Sequence, residues 1–61
     1  MLVGKDKFIK VYSNLSIDVR SEIILVIDDK PITWNVAYQE IINDTGLGKK
    51  ILSHLIKLEL I

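Results

Sequence analysis

The chain has 61 residues, no cysteine and a single histidine, His54, which excludes a disulfide framework and leaves too few ligands for a structural zinc site. Its formal net charge is +0, with 8 basic and 8 acidic residues, and this argues against the basic balance of a non-specific polyanion binder. Hydrophobic residues make up 49%; a chain this short buries only about 60% of its unfolded surface, so it must rely on a dense apolar core or on a partner chain.

Four segments carry helical spacing. Over 5–14, Phe8, Val11, Tyr12 and Leu15 fall at i, i+3, i+4 and i+7, one face of a helix, with Lys5, Lys7 and Lys10 off that face. Over 17–28, Ser16 is placed to cap, Asp18 complements the dipole of a first turn, and Ile17, Ile24 and Ile27 share a face. The unbroken apolar run Ile23–Ile27 also fits a buried strand, which would turn through Asp28-Asp29-Lys30 into Pro31-Ile32-Thr33-Trp34. Helix is preferred there for two reasons: the turn lacks the glycine that two-residue hairpins favour, and Pro31 would remove a ladder bond.

Pro31 ends whatever precedes it. Thr33 caps a third helix over 34–43, with Trp34, Ala37, Tyr38 and Ile41 as its stripe and Asn35, Gln39, Glu40 and Asn43 as its wet side. After the turn Asn43-Asp44-Thr45-Gly46, Thr45 or Asp44 caps a fourth helix over 47–58, striped by Leu47, Ile51, Leu55 and Leu58 with Leu52 beside them. Gly48 near its start gives up about 1 kcal/mol relative to alanine, which points to close packing. The expected fold is all-α: one domain over 1–61, a compact bundle or orthogonal array of three to four short helices. The alternative is α+β with a small hairpin at Ile23–Trp34. The expected core is Phe8, Tyr12, Leu15, Ile24, Trp34, Tyr38, Ile41, Leu47, Ile51, Leu55 and Leu58.

Charge is unevenly spread. Between Asp18 and Asp44 stand six acids against Arg20 and Lys30, and lysine is in excess on either side. An acidic middle with basic ends fits electrostatic self-association or a mixed surface. Met-Leu-Val-Gly is followed at once by lysines and forms no apolar leader core. Ile23–Ile27, the longest apolar run, falls far short of the ~20 residues a membrane span needs. A cytoplasmic protein without membrane contact is expected. The isoleucine- and lysine-rich, cysteine-free make-up fits a heat-adapted source.

No chemistry-bearing constellation emerges. Ser53 and His54 are neighbours, but residues adjacent on a helix point about 100° apart and cannot pair as nucleophile and base. A calcium loop opening at Asp29 would need an oxygen ligand and a glycine where Pro31 and Trp34 stand, although Glu40 falls on its twelfth position. Gly46-Leu47-Gly48-Lys49-Lys50 echoes a phosphate loop, yet Asn43 stands in place of its first glycine and Lys50 in place of its hydroxyl residue. A helix N-terminus with nearby lysines remains as a looser anion-binding reading. The expectation is no enzyme: no catalytic residue, no cofactor, no metal ligand set and no small-molecule substrate. Phe8, Tyr12, Trp34 and Tyr38 fall on apolar stripes and read as core.

Thr33 and Ala37, followed by Ile51, Ser53-His54-Leu55, Leu58 and Leu60-Ile61, resemble the helix-turn-helix of winged-helix transcriptional regulators, over Thr33–Ile61 and without the wing. That resemblance implies a last helix lying in the major groove and offering Lys49, Lys50, Ser53, His54 and Lys57 to phosphates and base edges. The residues themselves favour a different function, a protein-interaction or regulatory module that binds a protein partner or its own copy. Apolar residues remain off the stripes: Ile9 lies across the first helix, Val36 away from the third stripe, Ile56 on the polar side of the last helix, and the run Ile23–Ile27 covers more than one face of its helix. Gathered into one apolar helical patch, they would mark an interface.

Overall fold

The computed structural model describes residues 4–61. In chain order it has α1 (Lys5–Ser13), α2 (Ile17–Arg20), β1 (Ile23–Ile27), β2 (Lys30–Thr33), α3 (Trp34–Ile42) and α4 (Gly46–Lys57). The all-α expectation is therefore corrected to α+β, because β1 and β2 form a two-stranded antiparallel sheet. The helix expected over 17–28 lasts one turn. Ser16 does cap it, accepting from the Val19 N–H at 3.3 Å, and it stops at Arg20, ahead of the β-branched run that favours extended backbone.

Both arguments against a hairpin fail on local geometry. Ile27 pairs with Lys30 around the two-residue loop Asp28-Asp29, whose φ values are 51° and 66°. Those are the left-handed conformations that a loop of this length requires, and aspartate tolerates them better than most residues. Pro31 stands opposite Val26, one place beyond the pair that closes the loop. Antiparallel ladders alternate bonded and non-bonded pairs, so the amide that Pro31 lacks would have pointed out of the sheet.

A bulge between Ile23 and Leu25 shifts the alternation by one residue. Leu25, Ile27 and Ile32 then face inward and are buried, whereas Ile23 joins Val26 and Pro31 on the outer face. The inner face completes a single core with Phe8, Trp34, Ala37, Ile41, Ile51, Leu52 and Leu55. Tyr12, Leu15, Ile24, Tyr38 and Leu47 pack against it half-buried. Leu58, expected inside, is 58% exposed because α4 ends at Lys57 and Leu58 is only its C-cap.

α3 and α4 are joined by Asn43-Asp44-Thr45. Asp44 takes φ 53°, and the N–H groups of Asp44 and Thr45 donate to the Ile41 and Glu40 carbonyls at 3.1 Å each, closing α3 with a Schellman motif. Thr45 then caps α4, accepting from the Gly48 N–H at 2.9 Å while its hydroxyl donates to Glu40 Oε1 at 2.6 Å. At Gly48 the two helices touch along their backbones: a Cβ there would lie 2.4 Å from the Glu40 carbonyl oxygen. α1 is tied across this pair by Lys5, whose Nζ reaches Asp44 Oδ1 at 3.1 Å and the Ile42 carbonyl at 3.4 Å. No helix among the described residues is long and apolar enough to cross a membrane.

Candidate protein-binding surface on the hairpin

A sheet with one face on a core normally turns polar side chains to water on the other. Here the outer face carries Ile23 at 61% exposure and Val26 at 67%, with the exposed Pro31 across from Val26. Thr33 also belongs to this face, but its hydroxyl is occupied in capping α3, accepting from the Val36 N–H at 3.1 Å. Ile17, in the α2 turn that leads to β1, is 78% exposed. The polar residues lie at the ends of β1, where Glu22 precedes the strand and Asp28 follows it, both exposed. Asp28 Oδ2 is paired with Lys50 Nζ from α4 at 3.3 Å. Glu22 has no ion-pair partner among the described residues.

The two edges of the hairpin differ. By the alternation that frees Pro31 from the ladder, the Val26 N–H and C=O also point out of the sheet, toward the open side of β1. On the open side of β2 the matching donor is missing, because Pro31 has no N–H, and exposed Lys30 stands beside it.

Ile9, Val36 and Ile56, singled out from the sequence, sit elsewhere. Ile9 is half-buried and packs against the core; Val36 and Ile56 are 38% and 43% exposed. α3 meets α1 through Asn35, which accepts from the Tyr12 hydroxyl at 2.7 Å, and through Tyr38, which stacks on Tyr12 at 4.3 Å. Val36 lies about 100° or more around α3 from both, turned away from α1 and from Ile9. Ile56 lies beside Gly4 at the start of α1. The run Ile23–Ile27, counted in the apolar surplus as a helix apolar on more than one face, supplies an outer hairpin face instead: a five-residue apolar run cannot bury both faces of a two-stranded sheet.

The residues considered for nucleic acid, Lys49, Lys50, Ser53, His54 and Lys57, are all exposed and fall within about 140° of one another around α4. His54 Nδ1 is 2.7 Å from the Lys50 carbonyl; a carbonyl only accepts, so that nitrogen carries the proton. The start of α4 is less open to an anion than the glycines and lysines there implied. Thr45 already occupies the Gly48 N–H, and the Glu40 carboxylate is hydrogen-bonded to Thr45, so a negative charge of the chain itself stands at that helix end.

A second polar cluster braces α2. The Arg20 guanidinium lies 4.4 Å over the Tyr12 ring, its Nη2 donates to the Ser13 carbonyl at 3.5 Å, and its buried Nε has no partner among the described residues. Cation–π attraction of this kind, worth about 1 kcal/mol, holds the short α2 against α1. No protein-family model, curated protein or solved structure matches this chain.

Proposed function

We propose that this chain is a non-catalytic protein-interaction domain of the cytoplasm that docks through the outer face of the β1–β2 hairpin. The observation that carries the reading is the pairing of Ile23 and Val26, each more than half exposed, on the sheet face that water would otherwise claim. Single exposed apolar residues mean little. Two on one strand, with Pro31 opposite Val26, put three apolar side chains on one exposed sheet face, and apolar residues gathered on one face mark interfaces. A partner seated there would add burial and so stabilise a small chain without disulfides by mass action.

A photo-crosslinking residue placed at Val26 tests this in cells of the native host. It is expected to give a discrete adduct that the same residue at exposed Lys7 does not, and the adduct should fade when Ile23→Ser is added. Equal labelling from both positions, or none from Val26, contradicts the reading.

One observation favours a second reading, DNA binding by α3 and α4 as a helix-turn-helix. Their connection is three residues, Asn43-Asp44-Thr45, a length that motif uses, and the five polar residues of α4 share one solvent side. On that reading, Lys49→Glu and Lys57→Glu each weaken duplex binding, and affinity falls steeply as salt rises. Absence of duplex binding at low ionic strength eliminates it.

A further inference from the structure

We propose that the partner seated on the hairpin is a protein segment with an apolar side and lysine or arginine gathered at one end, lying on the outer face with its basic end at Asp18 and Glu22. This rests on the reading of the outer face as the docking surface and names the chemistry of its occupant.

The face itself carries no charge. Cross-strand partners share a face of a sheet, so the register puts Ile23 with Thr33 and Val26 with Pro31 on the outer side. The Thr33 hydroxyl already accepts from the Val36 N–H in capping α3. Lys30 pairs with the buried Ile27 and so stands toward the other side. An occupant must therefore meet the middle of the outer face with apolar side chains, because a charge laid there would lose water and find no partner.

The two ends of the face differ. At the tip, acids and bases balance: Asp28 is held by Lys50 at 3.3 Å, and Asp29 stands next to Lys30. At the other end, the Glu22 N–H donates to the Val19 carbonyl at 3.0 Å, so β1 starts against the α2 turn that carries Asp18. Asp18 and Glu22 are both exposed, and neither has an ion-pair partner among the described residues. Arg20, the one cation between them in sequence, is committed elsewhere: it is half-buried, lies 4.4 Å over the Tyr12 ring and donates to the Ser13 carbonyl. Ile17, 78% exposed, adjoins Asp18, so this end is apolar and acidic at once. Complementary charge selects the partner and its direction, while apolar contact at the centre supplies affinity. An acidic segment, a nucleic acid or an anionic membrane meets repulsion at this end.

Two synthetic amphipathic peptides, added to the whole chain, test the proposal. Both carry a leucine stripe and serines on the polar side; one has lysines gathered at one end, the other glutamates in the same places. Backbone amide NMR shifts of the protein report where each binds. The lysine peptide is expected to shift Glu22, Ile23 and Val26 and to bind about tenfold tighter than the glutamate peptide at low salt, a preference that shrinks as salt screens the charges. Glu22→Lys should reverse the preference, whereas Asp29→Lys, at the balanced tip, should leave its direction unchanged. Glu22 lies outside every helix and strand, so the reversal keeps the fold, which the same spectra verify. Equal affinity for the two peptides, or a preference unmoved by Glu22→Lys, overturns the proposal; if both still bind at Ile23 and Val26, the docking surface stands and only the stated chemistry falls. Shifts confined to α4, or no binding of either peptide, overturn it as well, and the Val26 adduct then decides whether the docking surface survives.

Discussion

Gly48→Ala is expected to destabilise the domain by about 2 kcal/mol. The added Cβ would lie 2.4 Å from the Glu40 carbonyl oxygen, 2.7 Å from its carbon and 3.0 Å from the Ile41 nitrogen. All three are backbone atoms that no side-chain rotation can clear, so α3 and α4 must part. Overpacking of this kind costs about 1–3 kcal/mol and sometimes more, against a gain of up to about 1 kcal/mol in helix propensity. With backbone in the way the upper end applies, and a net loss of about 2 kcal/mol lowers the melting temperature of a domain this size by roughly 10 °C. Gly46→Ala is the control: nothing lies within 4 Å of a Cβ there, and stability should hold or rise. Thermal unfolding followed by circular dichroism separates the two, and a Gly48→Ala protein as stable as the wild type would contradict the close packing of α3 on α4.

The second large effect is at Ile32. Its side chain is 1% exposed and anchors β2 in the core beside Leu25, its partner across the sheet. Ile32→Ala is expected to lose about 2–5 kcal/mol, the range for truncating a buried isoleucine. Val26→Thr, on the outer face of the same hairpin, should stay within about 0.5 kcal/mol of wild type, as surface changes do. Urea unfolding of both variants measures the contrast. A neutral Ile32→Ala would mean that the segment is a connection between helices and not a strand packed on the core.

Much of the helical frame was legible because its signals are local. Thr33 caps α3 as its position announced, and of the two candidates Asp44 and Thr45 it is Thr45 that caps α4; Ser16 also caps, but only the single turn of α2 and not a helix over 17–28. The apolar spacing around Phe8, Trp34 and Ile51 located α1, α3 and α4. Gly48 was legible as a close-packing site because glycine inside a helix needs a reason, and the Glu40 carbonyl is that reason.

The hairpin was legible only as the alternative at Ile23–Trp34, because the effect of each signal depends on position within the ladder. A turn without glycine disfavours a two-residue loop only until two aspartates accept positive φ. Proline breaks a ladder only from a bonded position, and Pro31 is not in one. Once Ile23–Ile27 is taken as helix, Leu25, Ile27 and Ile32 scatter around its axis and beyond it, and the hairpin's share of the core disappears. The surface followed the same course. An excess of apolar residues over what the core could hold was visible, but the bulge that turns Ile23 outward beside Val26 has no signature in the order of the residues. The excess was therefore placed on Ile9, Val36, Ile56 and a helix over Ile23–Ile27, and not on the face of a sheet.

The central claim, that Ile23–Ile27 is the first strand of a hairpin whose outer face carries Val26, is tested most directly by amide hydrogen exchange at Val26, read residue by residue by NMR. In dilute protein the Ile27 and Ile32 amides, which lie in bonded pairs of the ladder, should be protected, and the Val26 amide between them should exchange quickly. Protection of Val26 equal to that of Ile27 would indicate a helix through this segment and would contradict the account.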